Sequence, residues 1–200
     1  MKNQRNIIMK WNLLHKNSII DSYNECILLN DAIINDEIVS ETEDSSEKET
    51  VLDMIDSDEF WEKNNYEEFV KSLKANGNSH SAYLSNYSAS ELRDSHVQTF
   101  KLKNYNIGFG LKETEDGNVD IISVHNNSDV HGIVQNLLRA AIRHGGNQLD
   151  HFDGKLSDFY KNAGFDEYDR LKFDRQYAPS NWNYERDGEP DVVFRRLKSK

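Results

Sequence analysis

Apolar positions along the chain change their period part-way. Ile19, Ile20, Tyr23, Ile27, Ala32 and Ile33 keep a loose spacing of three to four, which predicts a helix over residues 18–39 against the drag of its β-branched content. The stretch Ser40–Thr50 is built from Glu, Asp, Ser and Thr with almost no apolar residue, so it reads as a solvated linker that cannot repay its ordering entropy. A boundary there divides the chain into an N-terminal extension, 1–57, with its acidic linker over about 40–57, and a domain over 58–200. Phe60, Trp61, Phe69, Val70 and Leu73 resume a helical pattern, Lys71 and Lys74 favour its end, and Asn76-Gly77-Asn78 stops it.

Beyond residue 80 the period changes. Val97–Leu102 and Tyr105–Leu111 are short aromatic and branched runs, and Glu115-Asp116-Gly117-Asn118 reads as the turn into a third run of Val119, Ile121, Ile122 and Val124. These predict antiparallel strands. Asn126-Asn127-Ser128-Asp129 is rich in cap residues. Gly132 then opens the clearest helix, with Ile133, Leu137, Leu138, Ala141 and Ile142 on one face, Arg139, Arg143 and His144 towards its end, and Gly145-Gly146 after it. A strand over 148–152, a helix over 156–162 and strands near 165–173 and 192–197 complete the order. That order is an α/β (α+β) arrangement, a mixed sheet centred on a strand–loop–helix–strand unit.

Composition alters this picture in one place. The chain has 200 residues, enough for one core, yet 36% hydrophobic and 30% charged residues are a poor average for a globular chain. Residues 31–68 account for it: 15 acidic and two basic residues give them a net −13, while the whole chain carries −11. The remainder is close to neutral, so nucleic acid is not indicated as a partner, and a basic protein surface fits the 31–68 arm. The apolar runs are too short for a bilayer and no secretory signal pattern opens the chain, which predicts a soluble protein of a reducing compartment such as the cytoplasm. Cys26 alone makes neither a disulfide nor a Cys-based zinc site.

Strand 119–124, loop 125–131 and helix 132–144 have the geometry that binds pyrophosphate, because unbonded N–H groups and the helix dipole favour an anion at a helix start. A glycine at a helix start is also an ordinary packing feature. His125 and His131 lack metal-ligand spacing, so no metal is expected. Asp150, His151 and Asp153 end a strand and read either as an amine-orienting or basic group or as a solvated strand end. Asp120 reads as a base or as an exposed strand position. Trp182, Tyr184 and Phe194 read as a cover on the last hairpin. No nucleophile with an adjacent His–acid pair, P-loop or dinucleotide glycine triplet is present.

Leu156-Ser157-Asp158-Phe159-Tyr160-Lys161-Asn162-Ala163-Gly164-Phe165, about two dozen residues after the Gly132 helix with its Leu137-Leu138 pair, resembles the GNAT (GCN5-related N-acetyltransferase) superfamily over roughly residues 80–197. Phe-Tyr-x-x-x-Gly-Phe is the most specific piece. Residues 173–194 resemble the C-terminal part of GNAT-like proteins of bacteriophages and prophages, which implies a host-cell cytoplasm or a virion as the setting. The resemblance implies a GNAT-like sheet, mostly antiparallel and flanked by helices, with acetyl-CoA as cofactor in a V-shaped split between two central strands. It implies Val124 and His125 along the pantetheine, Gly132, Ile133 and Val134 donating N–H groups to pyrophosphate, and Tyr160 as general acid, with Asp120 or Asp153 as base for an amine acceptor. The loop departs from the family's Gln/Arg-x-x-Gly-x-Gly/Ala at Asp129 and Val134, the first opposing a phosphate by charge and the second by crowding; a protonated His131 offsets part of this. Two functions therefore stay open: an N-acetyltransferase, or a GNAT-like domain with a decayed cofactor site that binds a partner through its acidic arm.

Overall fold

The computed structural model describes residues 45–63, 65–74, 87–154, 156–176, 178 and 182–198. The helix expected over 18–39, Cys26 and the first part of the acidic arm lie outside them. Seven strands form one sheet in the order β1-β2-β3-β4-β5-β7-β6: β1 Trp61–Lys63, β2 Gln98–Leu102, β3 Ile107–Glu113, β4 Val119–Asn126, β5 Gln148–Phe152, β6 Phe165–Leu171 and β7 Val192–Leu197. Every neighbouring pair is antiparallel except β4 and β5, which run parallel at the centre. The fold is thus a mixed, mostly antiparallel sheet flanked by helices, the α/β (α+β) arrangement expected from the order of elements.

Helices cover both faces. On one lie α1 (Ser45–Asp56), α4 (Val134–Arg143) and α5 (Leu156–Asn162), whose Val51, Ile55, Leu137, Leu138 and Tyr160 share a core with Phe100, Phe109, Ile121 and Val124. On the other lie α2 (Tyr66–Leu73) and α3 (Ala89–Asp94), where Phe69, Leu92 and Val97 pack on Ile122. A third cluster of Phe152, Trp182 and Val192 lies under Phe173, so Trp182 is indeed a cover; the short α6 (Tyr184–Asp187) follows it.

The part of the expected linker from Ser45 onward is helical instead. Its polar residues face water, while Val51 and Ile55, both fully buried, contribute about 1.5–3 kcal/mol each to the domain. Arg143 Nη2 and Trp61 Nε1 both donate to Ile55 O, at 2.7 and 3.1 Å, and so cap the helix end. Much of the acidic arm is likewise built into the domain. Asp56 and Asp58 face Arg143, Glu67 pairs with Arg93, and Glu68 faces Lys101. Phe60 and Trp61 do not belong to the helix expected there: Phe60 closes a short 3-10 turn (Asp58–Phe60), Trp61 opens edge strand β1 and is buried in the core, and the helix begins after the Asn65 cap.

Within β4 the alternation breaks. Gly108 pairs with His125 and Gly110 with Ile122, so Ser123 and Val124 together stand opposite Phe109. This is a β-bulge, with Ser123 in the left-handed region at φ 51°. Ile121 and Val124 consequently share the α4 face, while Ile122 turns to the other. Gly108 has no room for a side chain here, since a Cβ would lie 2.6 Å from Phe100 O and 2.7 Å from His125 Cε1.

Candidate functional site

The bulge lies where β4 leaves β5. Their parallel pairing consists of one register pair, Asp120 opposite Gln148, and beyond it the strands diverge. Asn147 pins the closed end: Val119 N–H donates to its side-chain oxygen at 2.9 Å, and its own N–H donates to Val119 O at 2.9 Å. In the split between the strands is a cavity of about 10 Å³, the room of one water molecule, lined among others by Ser123, Val124, Leu138, Leu149, Asp150 and Tyr160. Ser123 is 1% exposed, and its hydroxyl has no hydrogen-bond partner.

Tyr160, in the last turn of α5, lines this cavity. Gly164 follows the helix at φ 96°, a conformation that glycine adopts without strain, and lets the chain turn into β6 at buried Phe165. The Tyr160 ring lies 4.7 Å from the ring of fully buried His151. His151 Nδ1 donates to Phe152 O at 2.6 Å, and Nε2 accepts from Arg195 Nε at 2.8 Å. Burial holds this imidazole neutral, with its pKa pushed down to about 4.

The loop between β4 and α4 is braced from within. Asn126 donates to Val130 O at 2.6 Å and accepts from Ser128, while Asn127 donates to Ser72 O and Leu73 O at the end of α2. Gly132 has φ 74°, so α4 starts at Val134 and not at Gly132. The departures from the family loop acquire a structural meaning. Val134 is 1% exposed and turned into the core, so its bulk does not crowd the loop; Ile133 is buried beside it. Asp129 points to solvent, His131 is half-buried, and Lys48 of α1 brings its ammonium 2.7 Å from where a Gly132 Cβ would lie. A positive charge thus reaches the loop from outside the motif, which is why the sequence pattern did not reveal it.

His125, expected along the cofactor with Val124, is turned to the opposite face. Its Nδ1 donates to Ser123 O at 2.9 Å, its Nε2 accepts from Ser72 Oγ at 3.0 Å, and its ring meets Phe69 edge-on. Fully buried, it is held neutral with a pKa of about 4. The bulge causes this reversal, because one extra residue flips every side chain beyond it. Asp120 stands at the closed end of the split, where burial raises its carboxyl above the ordinary range while a hydrogen bond from Gln148 opposes the shift. Asp153 is exposed outside the split; hydrogen bonds from Arg170 and then Ser157 hold its carboxyl low, so it serves as a brace between β6 and α5 and is a poor base. Asp150, three residues earlier and within β5, lines the cavity itself. No cluster of His, Cys, Asp and Glu able to hold a metal occurs among the described residues. Among those residues no helix is long and apolar enough to cross a membrane.

No family model matches the sequence, and no curated protein matches it. Among solved structures, the chain is similar to N-acetylglutamate synthase from Neisseria gonorrhoeae complexed with coenzyme A and N-acetyl-glutamate, at 15% identity and a TM-score of 0.40, over 70% of this chain and 36% of that one. It is similar also to the same synthase complexed with coenzyme A and L-arginine, at 13% identity and a TM-score of 0.39, over 70% and 34%. The chain spans about a third of the length of either.

Proposed function

We propose that this protein is an acyl-CoA N-acyltransferase that moves an acetyl group from acetyl-CoA to an amine. The observation that carries the reading is the split between β4 and β5, with Tyr160, Asp150 and the unpartnered Ser123 hydroxyl around its cavity. Buried polar groups without partners are rare in folded proteins, and the Ser123 hydroxyl is one that belongs to a residue lining this cavity. The Gly132 loop supports the phosphate end, because glycine adopts its positive φ without strain and Lys48 brings a positive charge beside it.

Acetyl-CoA supplies the activated carbonyl, and the chain's residues do the rest. The parallel edge of β4 at Val124 holds the pantetheine arm, and Gly132, Ile133 and Val134 present backbone N–H groups to the pyrophosphate, with His131 beside them. Asp120 accepts the proton that the attacking amine loses as the C–N bond forms; its raised carboxyl makes it a better base than Asp153. Tyr160 gives its phenolic proton to the departing thiolate as the C–S bond breaks. Calorimetric titration of the full chain with acetyl-CoA and with CoA tests the proposal. Micromolar binding of both is expected; no heat at millimolar ligand would leave the decayed-site alternative, in which residues 31–68 engage a basic partner.

A further inference from the structure

Resting on that reading, we infer that the Ser123 hydroxyl is the hydrogen-bond donor to the acyl carbonyl, a catalytic role carried by a side chain at the bulge. Ser123 bears two local costs at once. It holds a positive φ of 51°, which a non-glycine residue adopts at a cost of about 1 kcal/mol or more, and it buries a hydroxyl that finds no partner. A glycine at this position would remove both costs, yet a serine is present. Neither cost serves packing, because the apolar contacts of β4 are made by Ile121, Ile122 and Val124.

The bulge also explains why Ser123 lies at the cavity. In an unbroken strand residue 123 would share the Ile121 face; the extra residue hands that place to Val124 and leaves Ser123 at the cavity between the strands. Tyr160 and Asp150 line the same cavity, so a carbonyl whose oxygen meets Ser123 has its carbon within a space bounded by an acid and a carboxylate. A donor preorganised in a water-poor cavity acts where negative charge grows on that oxygen as the amine adds, and costs no reorganisation then. His125 leaves Ser123 available: it takes the Ser123 carbonyl oxygen through Nδ1 and directs Nε2 to Ser72, so it does not consume the hydroxyl.

The test compares the wild-type full chain with Ser123→Ala and Ser123→Gly. Acetyl-CoA and CoA affinities are measured by calorimetry, the carbonyl stretch of bound carbonyl-labelled acetyl-CoA by infrared difference spectroscopy, and the ligand-free proteins by thermal melting. Both variants should lose affinity for acetyl-CoA by about 5- to 10-fold, the scale of one hydrogen bond. They should keep CoA affinity within about twofold, and the carbonyl stretch should move towards its free value. Without ligand neither variant should melt lower than wild type, and Ser123→Gly should melt higher, because each removes a cost that the ligand-free fold carries. If wild type binds both ligands but the variants lose neither affinity nor the carbonyl shift, or lose both ligands equally, the Ser123 assignment fails and the acyltransferase reading stands. Should wild type bind neither ligand, the reading fails and the assignment with it.

Discussion

Arg195 Nε donates to His151 Nε2 across 2.8 Å in the interior, and this places the only imidazole proton of His151 on Nδ1, against Phe152 O. Arg195 is 7% exposed, with Phe165 O as a longer second acceptor at 3.4 Å. The two residues are directly linked behind Tyr160, so the ring that packs on the tyrosine is fixed in tautomer and in angle. His151→Leu strips the buried guanidinium of its best acceptor and should cost about 2–3 kcal/mol in urea denaturation. Arg195→Met, which removes the charge and keeps the volume, should cost less; the reverse order would mean that the imidazole does not stabilise the arginine.

Acid should destabilise the protein before the carboxylates titrate. His125 and His151 have folded pKa values of about 4, below the ordinary 6.5, so the unfolded chain binds more protons between those values. Their contribution is present above pH 6.5 and is lost as pH falls towards 4, at about 3 kcal/mol each. His144 shifts in the same direction, whereas Asp120, whose carboxyl is raised, works the opposite way. Urea midpoints measured from pH 7.5 to 4 should fall steadily, and His125→Gln should flatten the slope. A flat wild-type profile would mean that these imidazoles are not held neutral.

Tyr160→Phe should lower acetyl transfer about 10²-fold, the scale of one lost general acid, while the melting temperature stays close to wild type. Unchanged turnover in a coupled thiol-release assay would remove Tyr160 from the mechanism.

The two glycines that flank the site should respond unequally to alanine. At Gly108 a Cβ meets the fixed backbone oxygen of Phe100 at 2.6 Å, so Gly108→Ala should cost about 2–4 kcal/mol. At Gly132 the neighbour is the mobile tip of Lys48, which can withdraw, and about 1 kcal/mol from the positive φ remains. Chemical denaturation of both variants checks the order.

A chain starting at residue 58 should melt well below one starting at 45, because it lacks the buried Val51 and Ile55 of α1. Equal melting would return α1 to the role of a tether.

The sequence pattern disclosed β2, β3 and β4 as runs of aromatic and branched residues between turns, and α4 by an apolar face long enough to repeat. It failed for α1, whose apolar face is confined to Val51, Leu52, Met54 and Ile55 after a polar start, and for β1, whose three residues cannot display a period. Helix α3 escaped notice although Ser88 and Glu91 form a complete capping box, a signal that was present in the sequence. In the candidate site, the helix that carries Tyr160 and the glycine after it were legible from their motif. Ser123 was not, yet it left a trace: Ile121, Ile122 and Val124 do not alternate, and that irregularity is the imprint of the bulge.

The lone Asp120–Gln148 register pair makes the sheet two leaves on one spine: β1 to β4 on one side, β5, β7 and β6 on the other. Each leaf is laced by its own antiparallel ladders, and the spine is fastened at Asn147, which also receives the Leu197 N–H at 2.8 Å. A wedge driven between the leaves from the open end therefore tears no ladder. The crevice can thus widen without breaking a strand pairing.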